Sequence, residues 1–156
     1  MFKGPRRLGM RYWLKYVDTE TIPMFVYDFN ETIGGVETYL NASHGLDLPY
    51  VFHNIDGVGY DNYSTPWYGQ NPFLGQPKAF WGLADSVCRM WIAFFDNQNP
   101  NHAGQIVLHW PAFTEEKKEI MIFGAARPSY IGTETYHSAG TDAMIEFALG
   151  YRKLRP

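Results

Sequence analysis

The spacing of apolar and polar positions along this chain predicts helix, strand, loop, helix, strand and helix, in that order. From Arg6 to Lys15, Leu8, Tyr12 and Trp13 fall on one side of a predicted helix, closed by the polar stretch Asp18-Thr19-Glu20. Ile22 to Phe29 is a nearly unbroken β-branched and aromatic run, which predicts a strand buried on both faces, with Pro23 tolerated only at its start. The strongest helical pattern runs from Pro77 to Phe95. There Phe80, Ala84, Val87, Trp91 and Phe94 repeat at three and four, and Trp81, Cys88 and Ile92 widen the stripe. Pro77 suits a first helical position, and Asp96 to Asn101 is a dense run of helix breakers. Ile120 to Phe123 predicts a short strand near a sheet edge. Thr141 to Lys153 predicts a last helix with Met144, Ile145, Ala148 and Leu149 turned inward.

Between these elements, Asn30 to Ser43 reads as loop, with Gly34-Gly35 as its clearest break. Leu46 to Phe52 reads as a short apolar segment, and Asn54 to Pro77 as a long Gly- and Pro-rich loop. Loops of that length inside a domain are functional or cover something. The order is α/β, yet a strand buried on both faces needs neighbours on each side, and only Ile120 to Phe123 offers itself as a partner. The predicted sheet is incomplete.

Composition sharpens that expectation. The 156 residues hold one core at most, yet they include 11 Tyr, 11 Phe and 5 Trp. So many rings point to a pocket lining or to surface meant for packing against something else. The net charge of −3 carries no basic stripe; Lys3, Arg6, Arg7 and Arg11 read as a solvated helix face, and nucleic acid is not an expected partner. The single cysteine, Cys88, leaves no internal disulfide and reads as a buried core thiol. No apolar run reaches the ~20 residues of a membrane span, and the residues after Met1 lack the apolar core of an export signal. Sequons at Asn30, Asn41 and Asn62 hint at a secretory ancestor.

Chemistry has few places to reside. His44, flanked by Ser43 and Gly45 beyond the first predicted strand, is either a polar surface residue or a general base at a strand end. Asp47 reads as the N-cap of the segment that follows, its carboxylate bonding free backbone N–H groups. Ser138, in Tyr136-His137-Ser138-Ala139-Gly140, approximates a nucleophile elbow, but Tyr136 replaces the first glycine and no apolar strand precedes it. The residue also follows His44, whereas the elbow fold places its serine first. A turn into the last helix is the better reading. His44 with His53, and His102 with His109, lack zinc spacing and nearby ligands, and no phosphate loop is present, so no metal or cofactor is expected.

Taken in order, several stretches resemble the C-terminal part of the type-B carboxylesterase/lipase family, cholinesterase-like and of the fungal type. Phe2-Lys3-Gly4-Pro5-Arg6-Arg7 is similar to F-x-G-P-R-R, and Pro23 to Phe29 to V-[WY]-x-Y-x-F. His44-Gly45-Leu46-Asp47-Leu48-Pro49-Tyr50-Val51-Phe52 matches H-G-x-[DE]-[LI]-P-[FY]-V-F. Leu83-Ala84-Asp85 to Phe94, with Asn99-Pro100-Asn101 after it, resembles the family's helix and loop. Trp110-Pro111-Ala112-Phe113-Thr114 resembles W-P-x-[YF]-T, and Ile120 to Gly124 a closing strand.

The resemblance implies an incomplete α/β-hydrolase sheet with packing helices, spanning residues 1–156. In it His44 descends from the triad base, while the serine elbow, the oxyanion-hole glycines and the acid lie upstream of the matched part. Three expectations follow. The chain is a piece of a serine carboxylic-ester hydrolase, inactive alone, whose substrate is met only when the rest is supplied. Or it is a non-catalytic remnant that binds a partner or self-associates through an exposed strand edge. Or it is an enzyme pairing Ser138 with His44 in a rearranged site. The family is often secreted, which leaves the compartment open.

Overall fold

A computed structural model describes residues 3–34, 36, 39, 42–60, 70–104 and 108–153. Among these described residues, four α-helices, α1 (Lys3–Tyr16), α2 (Leu48–Val51), α3 (Lys78–Asn97) and α4 (Ser138–Lys153), accompany a three-stranded sheet. Its strands, β1 (Tyr27–Phe29), β2 (Glu119–Phe123) and β3 (Tyr130–Thr133), lie in the order β1-β2-β3. β1 pairs parallel with β2, Tyr27 opposite Met121 and Phe29 opposite Phe123. The predicted partnership therefore forms, but β2 is central rather than peripheral, with Ile120, Met121, Ile122 and Phe123 all buried. β3 escaped the sequence reading because Tyr130-Ile131-Gly132-Thr133 is short and half-exposed; backbone pairing makes it a strand, not an apolar pattern. β1 is only half-buried along its length, not buried on both faces as its composition suggests.

The chain divides into two compact units. One comprises Met1–Val26, Pro111–Ile120 and Gly132–Pro156; the other comprises Tyr27–Trp110 and Met121–Ile131. In the first unit α1 packs on α4. The spacing puts Leu8, Tyr12 and Trp13 on one side of α1, but Tyr12 and Trp13 are exposed, and the buried side chains are Met10 and Arg7. Arg7, only 6% exposed, directs Nε to Glu134 Oε1 at 2.7 Å and Nη2 to the Tyr136 carbonyl at 2.8 Å. Arg6 bonds the other oxygen of the same carboxylate. The basic cluster is thus not a solvated face: two of its members neutralise a buried acid, and Arg11 pairs with Asp142 at 2.7 Å. In α4 Ile145 is buried, while Met144 and Ala148 face outward and Leu149 is half-buried. An antiparallel bridge joins Phe25 to Ala112, and the Phe113 N–H donates to the Met24 carbonyl at 2.7 Å.

In the second unit α3 is the main support. Its buried stripe is Phe80, Leu83, Ala84, Val87, Met90 and Ala93, rotated from the predicted one. Phe94, Trp81 and Ile92 are exposed and Trp91 is half-buried. Apolar residues nearly surround this helix, so periodicity identifies it without choosing which face packs. Pro77 is the N-cap rather than the first helical residue, and Gln98 ends the helix in the left-handed conformation, φ 56°, its N–H bonding the Phe94 carbonyl. Cys88 sits half-buried on the flank, not in the core; burial and the Asp85 carboxylate push its thiol pKa up, so it is a poor nucleophile. Gly34 does more than break the chain: a β-carbon there would stand 3.0 Å from both the Leu74 and Pro72 carbonyl oxygens. No helix among the described residues is long and apolar enough to cross a membrane.

Removing one partner of a buried ion pair leaves a desolvated charge behind. Glu134→Ala is therefore expected to lower stability by about 3–5 kcal/mol in urea denaturation. Arg11→Ala, at an exposed pair, should change it by less than ~1 kcal/mol.

Candidate active site

His44 opens a tight turn that leads into α2, and its imidazole is exposed. The turn is closed by the Leu46 N–H on the Ser43 carbonyl (3.4 Å) and the Leu48 N–H on the Gly45 carbonyl (3.3 Å). Gly45, at φ 82°, takes a conformation that a side chain would strain. Leu46 anchors the turn in the core, and Pro49 and Tyr50 do the same for α2. Asp47 occupies the N-cap position as expected, but its side chain makes no capping bond; its Oδ2 accepts from the Tyr27 hydroxyl at 2.9 Å. Asp47 therefore does not cap α2, because the Tyr27 hydroxyl takes its carboxylate.

Aromatic rings hold these parts. Phe29, Tyr50 and Phe73 form a chain with centroids 4.9 Å apart at each step. Tyr27 stands edge-on to Trp91 and to Trp110, with Phe123 tilted against it at 5.5 Å. Trp110 is itself fixed by Asn101, whose Nδ2 donates to the Trp110 carbonyl (2.8 Å) and whose Oδ1 accepts the Trp110 N–H (2.7 Å). Asn99 in turn accepts the Asn101 N–H at 3.0 Å. This two-way latch gives the Asn-Pro-Asn segment a physical purpose that the sequence pattern alone does not reveal.

A second polar anchor is absent from the sequence pattern. Glu31, inside the Asn30 sequon, is buried; its Oε2 accepts the Ala125 and Ala126 N–H groups at 2.8 and 2.9 Å, and its Oε1 the Thr32 N–H. An acidic residue just beyond a strand end was the available signal. Tyr50, fully buried, donates to the Thr32 carbonyl at 3.0 Å. Desolvation, and then the Glu31 charge, push its phenol far above the ordinary value, so it remains a donor throughout the neutral range.

The other sequence candidates are not gathered here. His53 follows α2 with φ 49°, His102 ends a 3-10 turn (Pro100–His102), His109 is exposed, and the described residues contain no cluster of ligands able to hold a metal ion. Ser138 begins α4 in the first unit, whereas His44 belongs to the second. The Ser138 N–H bonds the Thr135 carbonyl at 3.1 Å, as in a turn entering a helix. Asn41 of the second sequon and the whole of the Asn62 sequon lie outside the described residues.

Helices packed on a sheet with a parallel β1–β2 pair, and a histidine turn beyond β1, make this chain part of an α/β-hydrolase fold. Esterases are among the solved structures that share it. A carboxylesterase of Geobacillus stearothermophilus superposes with a TM-score of 0.53 at 26% identity, over 78% of this chain and 21% of that one. A PNB esterase, at 23% identity, shares the fold with a TM-score of 0.56 over 79% of this chain and 22% of its own. Among curated proteins, cocaine esterase of Homo sapiens is 25% identical over 104 residues, which is 64% of this chain and 16% of that enzyme. Para-nitrobenzyl esterase of Bacillus subtilis is 30% identical over 84 residues, 54% of this chain and 14% of the enzyme. No protein-family model matches. The chain thus spans less than a quarter of the length of each of these relatives and structures.

Asn101→Ala removes both halves of the latch on Trp110 and should lower stability by about 1–3 kcal/mol in urea denaturation. Tyr50 links stability to alkaline pH. Below its ordinary value of 10.0 both folded and unfolded states keep the proton; above it only the unfolded state releases it, so stability falls as pH rises. Denaturation curves between about pH 9 and 11 should show Tyr50→Phe losing less stability over that range than the parent does.

Proposed function

We propose that this chain is the C-terminal segment, residues 1–156, of a serine carboxylic-ester hydrolase of the type-B carboxylesterase/lipase kind, fungal in type, and that it contributes the base histidine, His44. The observation that carries the reading is the combination of esterase relatives with partial coverage: every one named above is an esterase, and each is matched over less than a quarter of its length. His44 supports it further, on a hydrogen-bonded turn beyond a strand of a parallel pair, a region where α/β sheets collect their chemistry.

In the complete enzyme His44 takes the proton of a serine hydroxyl as the oxygen attacks the ester carbonyl, then returns it to the departing alcohol. A carboxylate holds the imidazole tautomer, and backbone N–H groups receive the oxyanion. Serine, carboxylate and oxyanion donors come from the remainder of the enzyme, so this chain alone is inactive towards esters. Acyl and alcohol preference are set by walls that the remainder supplies.

A second reading, a non-catalytic module that self-associates, is favoured by the apolar surface. Phe95 and Phe147 are 75% exposed and Phe52 74%, and β1 ends the strand order among the described residues. Light scattering separates the two: a well-behaved monomer counts against self-association.

The purified chain is expected to hydrolyse a p-nitrophenyl ester at the buffer rate and to take up no fluorophosphonate probe. Probe labelling that disappears in Ser138→Ala would replace this reading with a rearranged site. If the genomic sequence upstream of Met1 encodes a G-[EH]-S-[AL]-G elbow, the joined protein should be an esterase, and His44→Gln in it should lower kcat by about 10⁴-fold or more.

A further inference from the structure

We propose that the hydrogen bond between Tyr27 and Asp47 is the tether that stations the His44 turn on the sheet, making both of them positioning residues for the imidazole. The proposal rests on the reading of His44 as a base.

Three observations meet at this bond. Tyr27 is held at both ends: its backbone is in register with Met121 of β2, and its ring is enclosed by Trp91, Trp110 and Phe123. A phenol so confined is a fixed point from which its hydroxyl reaches Asp47 Oδ2 at 2.9 Å. Second, Asp47 stands at the N-cap of α2 but does not cap it; its carboxylate turns instead to a residue 20 positions earlier. The residue type that ordinarily serves its own helix here serves the sheet. Third, His44 to Asp47 form a single turn closed by the Leu46 and Leu48 N–H groups, so fixing Asp47 fixes His44 within three residues.

A general base works only where its ring is held in place. A base displaced by about 1 Å can lose on the order of 10²-fold in rate. The buried Leu46 secures the turn against the core, but it is an apolar contact without direction. The Tyr27–Asp47 bond adds direction, because a hydrogen bond weakens steeply when bent.

The test is nuclear magnetic resonance on the full 156-residue chain, with the histidine rings ¹³C-labelled and His44 assigned through His44→Gln. Tyr27→Phe keeps the ring and removes the hydroxyl. It should lower the order of the His44 ring and speed amide exchange at Leu46 and Leu48 by about tenfold or more, leaving His102 and His109 unchanged. Asp47→Ala, which spares the aromatic cluster should Tyr27→Phe disturb it, should give the same result. The double variant should add nothing further. Asp47→Asn, whose amide oxygen still accepts, should restore the parent behaviour. The tether is overturned if Tyr27→Phe and Asp47→Ala leave His44 as ordered as in the parent. It is equally overturned if they loosen His102 and His109 as much, or if Asp47→Asn behaves like Asp47→Ala. The function reading fails separately, when a joined esterase does not need His44, and that outcome leaves the order of the turn unaffected.

Discussion

Parallel pairing of β1 with β2 is the constraint on which the second unit depends. Two parallel strands cannot be joined by a hairpin, so the chain leaving Phe29 must cross before it can return at Glu119. That crossing carries the histidine turn, α2, α3 and the Asn101 latch. The buried run from Ile120 to Phe123 supplies the apolar wall that makes the pairing favourable. The Asn30 N–H extends the ladder by bonding the Phe123 carbonyl at 2.9 Å, just where Glu31 gathers the Ala125 and Ala126 N–H groups. The end of the sheet is thereby closed by satisfied polar groups rather than left frayed.

From that paired edge, order passes outward through rings and then through directed bonds. Asn101 fixes the Trp110 backbone, Trp110 and Phe123 confine Tyr27, and Tyr27 reaches the turn that carries His44. Apolar packing alone would leave that turn several arrangements, since it is weakly directional; hydrogen bonds at its margins select one. The same division of labour holds in the first unit. There Met10 and Ile145 supply apolar burial, while Arg6, Arg7 and Glu134 supply direction.

Surface left uncovered tells the complementary story. Ile92 and Phe95 on α3, and Met144 and Phe147 on α4, stand in solvent at exposures common for lysine rather than for apolar residues. The solved esterases match this chain over about a fifth of their own length, and under the proposed function these faces meet the remainder of the enzyme. The aromatic rings thus fall into two sets: those packed around Tyr27 and Tyr50, and those that stand exposed among the described residues.

What the amino-acid order determined unaided was local. The extent of α3, the strand character around Tyr27 and Phe123 and the break in the chain at His44-Gly45 follow from periodicity, breakers and β-branched or aromatic runs, because these report on residues a few positions apart; the pairing of β1 with β2 was expected only because the sequence offers one other strand. Tertiary structure decided the rest. Arg7 and Glu134 lie 127 positions apart, and neither carries a local mark of burial. Asp47 has the sequence context of a helix cap, and only the proximity of the Tyr27 hydroxyl redirects it. The inner face of α3 was open to either of two apolar stripes, and β3 has no pattern of its own. A polar side chain takes whichever partner the folded chain delivers, and a helix apolar on most sides buries the face its neighbours reach first. Neither choice is encoded within a window of adjacent residues.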